Sequence, residues 1–316
     1  MFLHLFNGIL FIFAPALLCF ELFAVTLKWI LIAIFMTVSQ ASTFFRQRLM
    51  GLMDADEITA VWRLVMKHLI NYEPVDLVLK ADNELPDFMP ERLDLIVNRL
   101  LRHEPVQYIL GYARFHGHEF RVTPATLIPR PETEQLVDMV VDENKGTDLA
   151  VLDIGTGSGC IAVSLAMAMK FARVTALDNS EEALAVAAAN AKGIKANVHF
   201  VKADVLTMQL LGNEPFDVVV SNPPYVCESE KTSIEPNVLN YEPASALFVP
   251  DTDPLVFYRA IVRYAVDSLR KGGRIYLEIN RRFGKEVATL LNVAGFADVE
   301  VRKDSFGNVR FVTATR

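Results

Sequence analysis

The fold is decided by one stretch of the sequence, Val151-Leu152-Asp153-Ile154-Gly155-Thr156-Gly157-Ser158-Gly159. Its apolar first part predicts a buried strand, its second part is a glycine loop, and residues 160–169 predict a helix. Glycines let the loop take positive φ and let a ligand approach the backbone, and the helix N-terminus presents free N–H groups. The stretch therefore predicts a strand, a ligand-binding turn and a helix, in that order.

The same alternation continues downstream. Residues 173–178 predict a second strand, 181–192 an alanine-rich helix, 198–202 a third strand and 216–220 a fourth. Strands that alternate with helices form a sheet with helices on both faces. We therefore expect an α/β fold with a doubly wound, Rossmann-like sheet.

Two acidic residues end strands close to the glycine loop. Asp178 ends the second strand, 19 residues after Gly159, where a carboxylate can accept both hydroxyls of a ribose. Asp204 follows the third strand, near the other end of a bound nucleoside. A dinucleotide site also fits, because Gly155 and Gly157 match the first glycines of GxGxxG and Cys160 takes the third place.

A rigid polar turn, Asn222-Pro223-Pro224-Tyr225, follows the fourth strand. The prolines cannot donate hydrogen bonds and have fixed φ, so the Asn222 side chain and nearby carbonyls form a preset row of acceptors. Such acceptors suit an NH2 group, and Tyr225 offers a flat face for a planar amide or base. The alternative is an ordinary Asn-Pro turn with a core tyrosine.

Together these features resemble a class I S-adenosylmethionine-dependent methyltransferase acting on a planar nitrogen. Further motifs are similar to the release factor glutamine N5-methyltransferases, the PrmC/HemK family. They are Glu104-Pro105-Val106-Gln107-Tyr108-Ile109-Leu110-Gly111, Thr123-Pro124-Ala125-Thr126-Leu127-Ile128-Pro129-Arg130-Pro131-Glu132-Thr133-Glu134, Tyr241-Glu242-Pro243 and Asp304-Ser305-Phe306-Gly307-Asn308-Val309-Arg310.

The resemblance implies methyl transfer from S-adenosylmethionine to the glutamine of a Gly-Gly-Gln loop in peptide chain release factors, which would be the protein partner. Asn222 and Pro223 would accept the two amide protons, while Pro224 and Tyr225 fix the amide plane; Asn222, Pro223 and Tyr225 are the expected catalytic residues. The expected cofactor-binding residues are Gly155, Thr156, Gly157, Ser158, Gly159, Asp178, Asp204, Val205 and Asn222. No metal is expected.

Several charged residues have purely structural alternatives. Asp153 fits a turn residue and Asp204 a helix cap. Arg130 and Glu132 fit an exposed pair, and Glu242 fits a surface charge equally well. His116 and His118 would share one face of a strand, but no third metal ligand is nearby.

Composition bounds the remaining alternatives. The 316 residues include 31 basic and 38 acidic ones. The net charge of −7 disfavours a protein that binds long nucleic acid through its phosphate backbone. An adenine-N6 methyltransferase acting on DNA or RNA remains the main alternative, because the same turn can hold an exocyclic NH2. A non-catalytic, membrane-tethered nucleotide-binding module is the third. Three scattered cysteines fit a reducing, cytoplasmic compartment.

The domain prediction has four parts. Residues 1–35 form a hydrophobic leader, interpreted as a mis-set translation start or, alternatively, a membrane anchor. Apolar residues at helical spacing predict a small substrate-recognition domain over 36–110. Glycines and prolines predict a hairpin-like connector over 111–131, and the methyltransferase domain spans 132–316.

Overall fold

The computed structural model describes residues 36–208 and 215–316. The predicted leader, residues 1–35, lies outside them. The described residues divide into two compact units between Leu110 and Gly111.

The described part of the first unit is helical. Its helices are α1 (Val38–Leu49), α2 (Ala55–Ile70), α3 (Pro74–Leu79), α4 (Met89–Leu100) and α5 (Val106–Leu110). Side chains of Asp54 and Thr37 cap the N-termini of α2 and α1. The apolar faces of the helices meet in one core, in which Phe45 and Trp62 rings lie 5.3 Å apart. The helical periodicity of the sequence therefore buries one continuous hydrophobic cluster.

The second unit opens with an antiparallel hairpin, β1 (Tyr112–Phe115) and β2 (His118–Arg121), and continues with alternating elements. Its larger elements are α6 (Pro131–Glu143), β3 (Ala150–Ile154), α7 (Cys160–Ala168), β4 (Arg173–Asp178), α8 (Glu181–Ile194), β5 (Val198–Lys202) and β6 (Phe216–Ser221). Next come β7 (Val226–Cys227), a 3-10 helix (Glu228–Ser233), α9 (Pro236–Tyr241), α10 (Ala244–Leu247), β8 (Phe248–Val249) and α11 (Val256–Ser268). The chain ends with β9 (Leu269–Glu278), α12 (Gly284–Val293), β10 (Ala297–Lys303) and β11 (Val309–Thr315).

One seven-stranded sheet organises this unit, with the strand order β10-β11-β9-β6-β3-β4-β5. Strands β9, β6, β3, β4 and β5 are parallel to their neighbours within that set, whereas β11 runs antiparallel to both β9 and β10. Helices pack on both faces over two hydrophobic clusters. The predicted doubly wound α/β fold is confirmed.

The register of the sheet brings three polar residues and the first glycine of the loop to one edge. Ile154 of β3 pairs with Leu177 of β4 and with Ser221 of β6, and Ser221 pairs with Leu277 of β9. The residues that directly follow these four are Gly155, Asp178, Asn222 and Glu278. Because carboxyl ends of parallel strands share one edge, the four lie together there.

The predicted histidine pair is wrong in its geometry. His116 lies in the turn between β1 and β2 with a φ of 46°, and only His118 belongs to a strand. His116 and Gly117 form the two-residue turn between Phe115 and His118, both with positive φ, so the strand on which the prediction rested does not include His116. Among the described residues, no group of three or more His, Cys, Asp or Glu side chains is arranged to hold a metal ion. Nor does any helix of residues 36–208 or 215–316 have the length and apolar character needed to cross a membrane.

Candidate functional site

A cavity of about 380 Å³ opens at the carboxyl edge of the sheet, in the size range of small-molecule sites. Its wall is formed by the glycine loop after β3, the ends of β4 and β5, and the turn after β6. Segments of 125–133 and 243–246 complete it on another side. The predicted site residues found on the wall are Gly155, Thr156, Gly157, Ser158, Asp178, Asp204, Val205, Asn222, Pro223 and Pro224.

The glycine loop is fixed to the neighbouring strand. The backbone N–H groups of Gly155 and Thr156 both donate to the carbonyl of Leu177, at 2.9 and 3.0 Å. Gly159 lies behind the wall, where it precedes α7 with a φ of 82°, and a Cβ there would come within 3.0 Å of the Ala187 side chain. The third glycine therefore allows α7 and α8 to pack closely, and it does not line the cavity.

Asp178 connects the second strand to the loop. Its Oδ2 accepts a hydrogen bond from the Gly157 backbone N–H and its Oδ1 one from the Ser180 N–H, both at 2.9 Å. A carboxylate has about four lone-pair positions, so it retains acceptor capacity toward the cavity. The geometry suits a ligand with vicinal hydroxyls.

Asp204 has the capping role that the sequence left as an alternative, although the cap is on a turn. Its Oδ1 accepts from the backbone N–H of Leu206 at 2.9 Å, and its carbonyl accepts from Thr207 and Met208. The residue also lines the cavity next to the buried Val205. One carboxylate therefore shapes the turn while facing the same space as Asp178.

Asp153 is fully buried beneath the loop. Its Oδ2 accepts a hydrogen bond from the Thr156 hydroxyl at 2.7 Å. Burial raises the pKa of the carboxyl to about 7, against the lowering effect of the Thr156 hydrogen bond. Its contacts are those of the structural turn residue that the sequence offered as an alternative.

The turn after β6 is held from both sides. The Ser221 hydroxyl donates to the carbonyl of Ile154 at 2.6 Å, which ties the end of β6 to β3. The Asn222 side-chain nitrogen donates to the Thr133 hydroxyl oxygen at 3.3 Å. Pro223 and Pro224 follow on the cavity wall, so rigid backbone carries the predicted acceptors into the cavity.

Tyr225 is not part of the cavity wall. Its hydroxyl donates to Oε1 of Glu278 at 3.1 Å, and its ring packs against the hydrophobic cluster on that face of the sheet. Burial raises the pKa of the Tyr225 phenol far above its ordinary value, so the hydroxyl keeps its proton. Phe257 is the aromatic residue that lines the cavity instead.

Two acids at the site were missed or misjudged from the sequence. Of the two alternatives for Glu242, the surface charge is wrong: its side chain is 1% exposed, accepts from the Ile128 N–H at 3.0 Å and pairs with Arg130. Sequence reasoning assigns no role to Glu278, yet it lies 1% exposed at the end of β9. A carboxylate that directly follows the apolar run Ile275–Leu277 was the available signal, because a buried acid at a strand end requires partners.

Comparisons with known proteins agree with this architecture. The family described as PrmC N-terminal domain matches residues 39–111, and the Methyltransferase small domain matches residues 132–241. A release factor glutamine methyltransferase from Bacteroides thetaiotaomicron is 43% identical over 279 residues, which are 88% of this chain and 100% of that protein. Proteins of the same name from Flavobacterium psychrophilum and Enterococcus faecalis are 41% and 39% identical, over 88% and 77% of this chain and 98% and 87% of theirs. The chain belongs to the release factor glutamine methyltransferase family.

Proposed function

We propose that this protein transfers a methyl group from S-adenosylmethionine to the side-chain amide nitrogen of the glutamine in the Gly-Gly-Gln loop of peptide chain release factors. The observation that carries the proposal is the shared cavity. It joins the glycine loop and Asp178 to the Asn222-Pro223-Pro224 turn. The residues that we assign to a nucleoside thus line the same cavity as a row of acceptors suited to an NH2 group.

The residues present fit the cofactor. Asp178 supplies carboxylate oxygens for ribose hydroxyls, and Asp204 with Val205 lies on the same wall for the adenine edge. Gly155 and Gly157 leave open space where a side chain would stand, so the backbone can be approached closely. When bound, S-adenosylmethionine supplies an electrophilic sulfonium methyl.

The protein's task is then to improve a weak nucleophile. An amide nitrogen is unreactive because its lone pair is delocalised into the carbonyl. The Asn222 Oδ1 and the Pro223 carbonyl would accept hydrogen bonds from its two N–H groups, which holds the nitrogen in line for transfer and favours the positive charge that develops on it. As the N–CH3 bond forms, the S–CH3 bond breaks and the sulfur leaves as a neutral thioether, and the methylated nitrogen then loses one proton to water. Pro223 and Pro224 keep these acceptors in place because their φ angles are fixed.

The partner is a release factor, and the activity would belong to translation termination in the cytoplasm. We assign residues 36–110 to holding the body of the release factor while its loop enters the cavity. This assignment rests on family membership and on the PrmC N-terminal domain over 39–111.

The test is methyl transfer from labelled S-adenosylmethionine to a purified release factor, to its variant with the loop glutamine replaced by alanine, and to duplex DNA. We expect label on the intact release factor alone. Label on DNA with none on either protein would replace this proposal with the adenine-N6 alternative.

A further inference from the structure

We propose that Thr133 and Glu278 are positioning residues that set which way the Asn222 amide faces, through a directed chain of hydrogen bonds. The inference rests on the proposed function, because it concerns how the acceptor for the substrate amide is presented. It adds two residues from different elements: Thr133 lies in the first turn of α6 and Glu278 ends β9.

The chain is continuous and buried. Thr133 and Glu278 are 2% and 1% exposed. The Thr133 hydroxyl donates to Glu278 Oε2 at 2.7 Å, and its oxygen accepts from Asn222 Nδ2 at 3.3 Å. The other carboxylate oxygen, Oε1, accepts from the Tyr225 hydroxyl at 3.1 Å. Both oxygens of Glu278 therefore accept hydrogen bonds from hydroxyl groups.

The direction of the chain follows from the number of protons. A threonine hydroxyl has one proton to donate, and here Glu278 receives it. The Thr133 oxygen can then only accept from Asn222, which requires the NH2 end of the Asn222 amide to face Thr133. The Oδ1 end consequently faces away from Thr133. The substrate NH2 needs Oδ1 of Asn222 as its acceptor. In the opposite orientation the NH2 group of Asn222 would face the substrate NH2, and two donors cannot form a hydrogen bond.

The arrangement requires an ionised carboxylate at position 278, because only that form accepts hydrogen bonds and donates none. A glutamine at position 278 carries an NH2 group that can donate to the Thr133 oxygen. The Thr133 hydroxyl can then donate its hydrogen bond to Oδ1 of Asn222, which stabilises the opposite orientation of the Asn222 amide. Burying the Glu278 carboxylate costs desolvation free energy. Its role in this proposal is the orientation that it imposes on Asn222.

The test compares Thr133→Val, Thr133→Ser and Glu278→Gln, with Thr313→Val as matched control. Thr313 is also a buried threonine of the second unit, but its hydroxyl has no hydrogen-bond partner. Thermal unfolding, the Kd for S-adenosylmethionine, and kcat and KM with a release factor are measured for each.

We expect T133V and E278Q to lower kcat by about tenfold or more, with the cofactor Kd changed by less than about threefold. T133S restores the hydroxyl and should return most of the lost kcat, and T313V should behave as wild type. Should T133V not fold, E278Q and T133S still decide the matter, since they keep polar groups at both positions.

The inference is overturned if T133V or E278Q keeps wild-type kcat, if T133S is as impaired as T133V, or if cofactor binding is lost together with kcat. Failure of the proposed function is separate: the wild-type protein itself would then transfer no methyl group to the release factor.

Discussion

At the scale of single residues, the site depends on a turn that is ordered before any substrate arrives. Asn222 is fixed through Thr133, and Ser221 is fixed through the Ile154 carbonyl. Prolines at the next two positions remove backbone freedom. Acceptors held in this way need little reorganisation during the reaction. Such preorganisation of polar groups is the main source of electrostatic rate enhancement in enzymes.

Replacing Asn222 by alanine should therefore lower kcat by about 10²- to 10³-fold, as removal of one preorganised hydrogen-bonding group does elsewhere. We expect the unfolding temperature to stay close to wild type and the cofactor Kd to change far less than kcat, because Asn222 is one of nine expected cofactor-binding residues and Asp178 and the glycine loop remain intact. Steady-state kinetics and calorimetric titration of cofactor measure these quantities. Asn292→Ala, at an exposed position of α12, is the control. Wild-type activity in N222A would defeat the assigned role.

Asp153 predicts a pH dependence of stability. Its pKa lies at about 7 in the folded protein, mainly through burial, against an ordinary value of 3.8. Between these values the folded carboxyl binds a proton that the unfolded one has released. Its contribution to stability is therefore full below about pH 4 and is lost as pH rises toward 7, by about 1.4 kcal/mol per unit.

An Asp153→Asn variant does not titrate and should escape this loss. The free energy of unfolding of D153N minus that of wild type should be larger at pH 8 than at pH 5, by about 3 kcal/mol. Urea unfolding at the two pH values measures the difference. A constant difference would mean that Asp153 is ionised in the folded protein throughout this range.

At the scale of elements, local signals predicted the strands and helices around the loop, but contacts distant in sequence escaped them. The predicted helix 160–169 ends at Ala168, and the helix 181–192 extends to Ile194, capped by Ser180 as local chemistry dictates. The Arg130 pairing with Glu242 spans 112 residues. The sequence around Arg130 or Glu242 contains no pattern that predicts the other residue as its partner. The same is true of Glu278 and its partners Thr133 and Tyr225.

The packing of α7 on α8 gives a prediction at this scale. Gly159→Ala adds both positive-φ strain and a contact with Ala187, whose Cβ and Cα would lie 3.0 and 3.2 Å from the new Cβ. Gly295→Ala is the matched control, because it has a φ of 85° but open space around it. We expect G295A to cost about 1 kcal/mol and G159A about 1 to 3 kcal/mol more.

Chemical denaturation measures both costs, and cofactor titration should show weaker binding in G159A alone. Displacement of α7 would move the loop that precedes it. Equal losses of unfolding free energy in the two variants would indicate that α7 and α8 can move apart at no measurable free-energy cost.

At the scale of the whole molecule, the described chain combines a helical unit and a catalytic unit, each with its own hydrophobic core. The net charge of −7 gives no general attraction for nucleic acid, which agrees with a protein substrate. Periodicity predicted that residues 36–110 are helical. It could not predict what those helices bind, because the same amphipathic pattern serves core packing in any helical unit.

The division of labour between the units is tested by a fragment comprising Gly111–Arg316. Every residue that lines the cavity lies between Ala125 and Ile261, so the fragment should bind S-adenosylmethionine with nearly the Kd of the full chain. If the helical unit holds the body of the release factor, kcat/KM for the intact factor should fall by about tenfold or more, equivalent to about 1.4 kcal/mol of lost binding. A short peptide with the Gly-Gly-Gln sequence cannot use that surface, so the fragment and the full chain should methylate it equally. Equal kcat/KM on the intact factor would place recognition within the catalytic unit, whereas loss of activity on both substrates would give the helical unit a part in catalysis itself.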